Sequence, residues 1–433
     1  MLFARRAATS LLLIMAITAI VRIAFAWEEE RRIPREELSA AVFQTEAANI
    51  GRSLALGKGF SSPYARDTGP TAILPPVYPL LVAGVFRVFG IATAGAFRAL
   101  VLLNIVFATL TCLPLYRVGE HLGGVGLASG AAWMWAVFPN GVMIPFEWIW
   151  ETSLSALLAA TLLWLTLKLE GSARAREWAL YGLLWGLALM TNPALGAALP
   201  ALLGWAAWRA ARAHRPAMQA AGRPALAVAV AILCCVPWTL RNFSRFHRFI
   251  PLRSGFGFEL YIGNNENYDP RRVVWPPPVT YQRELVRYIH MGEMPFMDEE
   301  KRKALAFIAA HPRVTCALIG KRVIEFWSGA AAPLAAFESQ ESALERFLLI
   351  CNVLLPALVA LGAVFLLLRR RELGVPLLAF PTLYPVIYYV THASLRYRHA
   401  IDPNLCVLGA LAIAGLAPRV RRPERAALPQ EVA

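Results

Sequence analysis

The chain has 433 residues, 58% of them hydrophobic and only 16% charged. A soluble globule carries about 25% charged residues, so a set of soluble domains is excluded. The net charge of +15 is arginine excess. Those arginines fall in short loops between apolar runs, the pattern of a membrane protein oriented by its positive cytoplasmic loops. No helix-turn-helix, zinc-finger or RNA-binding signature accompanies them, so nucleic acid is excluded as a partner. The six cysteines (Cys112, Cys234, Cys235, Cys316, Cys351 and Cys406) lie in or beside apolar runs without metal-type spacing. They read as small buried hydrophobes.

The first apolar run, 7–26, follows Arg5 and Arg6 and ends in Ala-x-Ala at Ala26. A cleaved leader has this form. The run's length and Arg22 near its far end favour a retained span leading from the cytoplasm outward. About fifty polar residues come next. Within them 38–56 repeats apolar residues at helical spacing (Leu38, Val42, Ile50, Leu54), which predicts an amphipathic surface helix ended by Gly57 and Gly59. The segment 75–90 is apolar but short and carries Arg87, so it reads as interfacial.

Further spans are predicted at about 97–117, 124–139, 151–169, 177–191, 194–210 and 224–240. The loops 168–176 and 209–223 are basic and belong inside. Residues 241–310 then fall outside, with a Trp-Pro-Pro-Pro run and an amphipathic stretch near 297–312. Residues 313–332, broken by Lys321, Arg322 and Glu325, pack along the membrane face. The last spans are placed at about 346–368, 373–391 and 400–418, with 369–372 and the C-terminus inside. The expectation is an all-α integral membrane protein, one domain over 1–433, with about ten transmembrane helices. Two large extracytoplasmic loops, 27–96 and 241–345, contain amphipathic helices. No repeat is seen, which argues against an inverted-repeat transporter.

The outer loops hold the ionisable groups. Glu46, within FQTEAANIGRSLALGKGF, is placed mid-helix near the membrane face. A partly desolvated carboxylate there has a raised pKa and is a better base; an ordinary polar-face glutamate has the same spacing. Glu151, in PFEWIWETS, begins a span on its outer side, with Glu147 one turn earlier. A glutamate at a helix N-terminus also has a purely structural use. Arg241, Arg245, Arg248 and Arg253 form one outer basic group, and Arg396, Arg398 and His399 another. Outer loops are ordinarily poor in arginine. Bidentate recognition of a lipid phosphate accounts for the exception, as does contact with anionic headgroups. No HExxH, Walker loop or GxSxG elbow occurs, and the scattered histidines suggest no metal site. A carboxylate with arginines suits transfer of a sugar from a lipid phosphate: the phosphate leaves as an anion, arginines stabilise it, and one carboxylate deprotonates the attacking hydroxyl.

At these residues the chain resembles the GT-C fold glycosyltransferases of bacterial membranes. Within them it is similar to the family of lipid A aminoarabinose transferase and the protein O-mannosyltransferases. The resemblance rests on AANIGRSLALGKGFSSPY, PPVYPLLVAGVFRVFG, VPWTLRNFSRFHRFIPLRSGFGFELYIGNN, KALAFIAAHPRVTCALIGKRVIEFW and RYRHAIDPNLCVLGALAI, in that order along nearly the whole chain. It implies a polyprenyl-phosphate sugar donor, an extracytoplasmic hydroxyl acceptor (lipid, glycan or protein), membrane-lipid contact, and location in the bacterial inner membrane with outward-facing chemistry. It supplies no certain cofactor and leaves room for a divalent metal ion. Family members carry Asp one turn earlier than Glu46, followed by Glu and an aromatic; this chain has Phe43, Gln44 and Ala47 there, so the catalytic role passes to Glu46. The resemblance assigns substrate binding to Glu151, Arg241, Arg396 and Arg398, and places Asn264 and Asn265 in a motif that lies near the sugar or shapes the loop. The family's lysine before the double proline is Leu74 here. Two alternatives stand beside this reading. One is a transporter or flippase of lipid-linked glycans, which predicts polar residues deep in several spans. The other is a glycan ligase or polymerase with a diphosphate-linked donor.

Overall fold

The computed structural model describes residues 9–33, 43, 45–64, 66–147, 149–266, 282–330, 332–340 and 342–416. Arg5, Arg6, residues 38–42 of the predicted surface helix, the proline run near 276 and the basic C-terminal stretch lie outside the described residues. Those described are largely helical, joined by turns and irregular stretches, and the β-type pairing among them is one isolated antiparallel bridge between Ser61 and Pro70.

Six helices among them are long and apolar enough to cross a bilayer: Leu11–Arg32, Ala94–Gly123, Thr152–Leu169, Met218–Phe246, Ala343–Arg369 and Arg371–Val390. A seventh is counted if Val125–Val137 and Pro139–Glu147, bent by 46° at the Phe138 break, form one span. The protein is therefore an all-helical, multi-pass membrane protein. The difference from about ten lies in short helices. Ala175–Leu189 and Asp402–Leu416 have 15 residues each and Leu199–Arg212 has 14. At 1.5 Å per residue each is about 22 Å long, less than the ~30 Å hydrocarbon core. Residues 193–198, read as the start of a span, are a 3-10 turn capped by Asn192.

The bundle centre is tightly packed around Trp135, Phe380 and Leu405–Leu408, all fully buried. Helices Ala343–Arg369 and Asp402–Leu416 approach so closely at Gly362 that a Cβ there would overlap the Leu408 carbonyl oxygen. Arg22, inside the first span, is fully buried. Its guanidinium donates to the carbonyls of Thr18 (3.2 Å), Ala136 (3.1 Å) and Trp135 (3.1 Å). A buried charge needs such partners, and here they tie the first span to the bent helix pair.

The two long polar loops pack as one unit. Ile50, Phe60, Tyr64 and Ile73 of the first share a core with Phe258, Ile262, Tyr288 and Phe296 of the second. The buried Glu293 carboxylate fastens them, accepting from Ala72 N (2.8 Å), Ser254 Oγ (2.6 Å) and Tyr288 Oη (2.7 Å). The short apolar helix Val77–Phe89, expected at the interface, supports the first loop from below: a Cβ at Gly51 would meet Val82.

Candidate functional site

Where the joined loops meet the bundle they enclose a cavity of about 1080 Å³. Its wall draws on distant parts of the chain, among them the start of helix Glu46–Ala55, the Leu74–Pro75 turn, Glu151, the Thr191–Asn192 turn, Arg253 to Glu259, Glu325, and Val386 to Tyr397. Glu46, Glu151, Glu259, Arg253, His392 and Arg396 all face it. Another side is apolar, formed by Leu383, Val386, Ile387 and Val390, each left exposed at the end of a spanning helix. A polar head and an apolar flank share one chamber.

Glu46 is not mid-helix. It is the first residue of helix Glu46–Ala55, and Thr45 caps that helix by accepting from Ala48 N at 3.2 Å. This start turns the carboxylate into the cavity while Ala47, Ala48 and Ile50 enter the core. Burial raises its pKa; backbone bonding at the helix start opposes this, Glu259 adds to it, and Arg396 and Arg253 offset it. Glu151 occupies the N-cap position of Thr152–Leu169 but makes no side-chain capping bond. It lines the cavity, where burial raises its pKa against the opposing pull of Arg396.

The cations are arranged in a chain of contacts. Arg253 donates to Glu259 at 2.6 Å. The other Glu259 oxygen lies 3.5 Å from His392 Nδ1. His392 Nε2 shares a 2.6 Å hydrogen bond with Tyr397 Oη, which accepts from Arg396 at 2.9 Å. Burial works against the Glu259 anion, but Arg253 and then His392 outweigh it, so its pKa lies below the ordinary carboxylate value. Burial lowers the His392 pKa, with Glu259 pulling the other way. Arg396 rests over the Trp150 ring, 4.4 Å from its centroid.

Of the residues singled out from the sequence, Glu46, Glu151 and Arg396 meet in this cavity. Arg253 of the first basic group lines it as well, whereas Arg241, Arg398, Asn264 and Asn265 do not. Arg241 donates to the carbonyls of Thr71 and Phe60, both at 2.6 Å, and packs over the Phe60 and Trp238 rings. It braces the first loop against the end of its helix. Arg398 is fully buried beneath the cavity floor, paired with Asp402 at 2.8 Å and bonded to Asn352 Oδ1 at 2.6 Å and to the Trp327 carbonyl. Asn264 donates to the carbonyls of Leu260 (2.8 Å) and Val390 (2.9 Å), and Asn265 to Tyr261 (2.8 Å). These amides shape the loop from within. Asp67 is exposed and accepts from Ser62 at 3.1 Å.

Glu259 and His392 are the functional candidates that sequence reasoning missed. Both sit in stretches that drew attention for other reasons, GFGFELYIGNN and THASLRYRHAIDP. An ionisable residue enclosed by aromatics in an outer loop is the signal that was there. No group of three or more His, Cys, Asp or Glu among the described residues is arranged to hold a metal. Glu259, moreover, is already engaged by Arg253. The residues present do not fit a divalent ion, and no step is derived through one.

A multi-pass helical protein with a carboxylate- and arginine-lined chamber under its two long loops is the class that fold and site define. No family model matches the sequence, and no curated protein does. Among solved structures the chain is similar to the Archaeoglobus fulgidus oligosaccharyltransferase in complex with zinc and sulfate, at 13% identity and a TM-score of 0.49 over 93% of this chain and 49% of that one. It thus spans about half the length of that enzyme. It is also similar to ArnT from Cupriavidus metallidurans bound to undecaprenyl phosphate, at 14% identity and a TM-score of 0.40 over 93% of this chain and 77% of that one. The apo form of that ArnT gives 15% identity and 0.37 over the same shares. These values assign no residue and no reaction to this chain.

Proposed function

We propose that the protein transfers a sugar from a polyprenyl-phosphate donor to an extracytoplasmic hydroxyl on a lipid, glycan or protein. The observation that carries this is the meeting of Glu46, Glu151, Arg253 and Arg396 in one cavity with an exposed apolar wall. The apolar flank accommodates the polyprenyl tail and the arginines take the phosphate. Glu46 accepts the proton of the acceptor hydroxyl. That oxygen bonds to the anomeric carbon as the bond from carbon to phosphate oxygen breaks. The electron pair leaves with the lipid phosphate, so no general acid is required. Arg396, with Arg253 behind it, stabilises the departing anion. Attack opposite the leaving group inverts the anomeric centre. Glu151, held near Arg396, orients that guanidinium. In this reading the site faces outward from the bacterial inner membrane, and the short helices supplement the longer ones toward about ten crossings.

The test is mass spectrometry of envelope lipids and glycans from cells with and without the gene. The expected result is loss of one sugar from a hydroxyl-bearing species together with accumulation of the polyprenyl-phosphate sugar. An unchanged envelope under conditions of expression overturns the reading.

A further inference from the structure

A second cavity, of about 340 Å³, adjoins the first. It opens between the Pro139–Glu147 helix, the C-terminal end of the Pro312–Ser328 helix and the start of the Ala343–Arg369 helix. Glu325, Ser394 and Arg396 line both cavities, so these three side chains form the wall between them. Its volume lies at the low end of the ~300–1,000 Å³ of small-molecule sites.

Carboxylates outnumber arginines in both chambers, but the smaller has no cation of its own, since Arg396 is shared and Arg253 lines only the larger. Glu147 and Glu325 face it, and no hydrogen bond or ion pair engages either carboxylate among the described residues. Arg396, its cation, is drawn toward Tyr397, Glu151 and Glu46 on the larger cavity's side. Arg322, whose charge acts on Glu325, is committed to the carbonyls of Gly263, Tyr389 (3.2 Å) and Val390 (3.0 Å). Asn140 and Asn352 form the floor, bonded to each other at 2.9 Å. Two carboxylates, two carboxamides and a shared wall with the reaction chamber make a site for a polar, positively charged, hydroxyl-bearing group. Glu147 is exposed and Glu325 half-buried; a half-buried carboxylate lacking a countercharge is costly until a ligand supplies one.

We propose that the smaller cavity binds the acceptor, that the acceptor headgroup is an amine-bearing hydroxylic group of amino-sugar size, and that it presents its hydroxyl over the Glu325–Arg396 wall. This rests on the reading of the larger cavity as the donor site. The division of labour is physical: the phosphate goes to the chamber lined by two arginines, Arg253 and Arg396, and the ammonium to the one whose only cation is the shared Arg396.

The test is binding to the full chain in lipid nanodiscs, with methyl glucosaminide, methyl glucoside and undecaprenyl phosphate titrated separately. The wild-type protein should bind the glucosaminide about tenfold more tightly than the glucoside, a difference of about 1.4 kcal/mol. Glu147→Gln and Leu348→Trp, both confined to the smaller cavity, should remove that preference while leaving undecaprenyl phosphate affinity within about twofold. Retained lipid-phosphate binding also shows that the variants are folded. Equal affinity for the two glycosides in wild type, or a preference that survives both variants, overturns the proposal. Glucosaminide binding without any lipid-phosphate binding overturns the donor reading of the larger cavity and supports the smaller cavity as an amine site. Lipid-phosphate binding without glucosaminide binding does the reverse.

Discussion

The Arg396 guanidinium lies 4.4 Å from the centroid of the Trp150 ring. Trp150 immediately precedes Glu151, so one aromatic face fixes the position of a cation from the short helix Leu395–Arg398 beside a carboxylate from the start of a span. A guanidinium stacked this way keeps its N–H edge for an anion. Arg396→Ala should weaken undecaprenyl phosphate binding by about tenfold or more, about 1.4 kcal/mol. Arg396→Lys should recover only part of the loss, because an ammonium neither stacks nor binds bidentately. Unchanged affinity in the alanine variant, measured by titration in nanodiscs, would count against the assignment.

Glu46→Gln removes the proposed base and changes little else at the helix start, since Thr45 supplies the cap. General-base catalysis is worth about 10²–10⁴-fold, so transfer should fall by that factor with donor affinity retained. Wild-type turnover would move the role to Glu151, which shares the cavity, rather than to the exposed Asp67.

The same residue sets a pH dependence. Burial raises the Glu46 pKa above the ordinary carboxylate value. A base works only when deprotonated, so kcat/KM should fall as pH drops through the raised pKa. The acid limb of the profile should therefore lie above 4.5, the unshifted value for Glu46. An acid limb below that value, or one unchanged in Glu46→Gln, would break the link. Glu259 has the opposite sign. Its lowered pKa contributes stability that is present above the unfolded value and lost as pH falls through the folded one.

Arg398 separates a structural from a binding role. It is fully buried and paired with Asp402. Removing one member of a buried pair costs about 3–5 kcal/mol. Arg398→Ala should lower the unfolding midpoint, with whatever folded fraction survives binding undecaprenyl phosphate normally. A selective loss of lipid binding at wild-type stability would restore the residue to the phosphate site.

Gly263 tests how the loop reaches the cavity. A Cβ there would overlap the Thr391 carbonyl oxygen, one residue from His392, whereas a Cβ at Gly320 would meet nothing. Gly263→Ala should displace Thr391 and His392, lowering both thermal stability and donor affinity. Gly320→Ala should leave both near wild type. Equal behaviour of the two variants in thermal melts would contradict the close approach.

Sequence alone determined that this chain is helical and membrane-embedded, because long apolar runs and basic short loops follow from bilayer thickness and orientation without reference to distant contacts. It also singled out Glu46, Glu151 and Arg396, whose charges stand out in outer loops near apolar segments. Tertiary structure decided which of several similar arginines reach the cavity. Arg241, Arg396 and Arg398 look alike as letters, yet two are consumed by carbonyls and a carboxylate brought from 46 to 181 residues away or from the next helical turn. It also recruited Glu259 and His392, and created a second chamber from helices far apart in the chain. Such pairings depend on long-range packing of buried polar groups, which has no local periodicity to read.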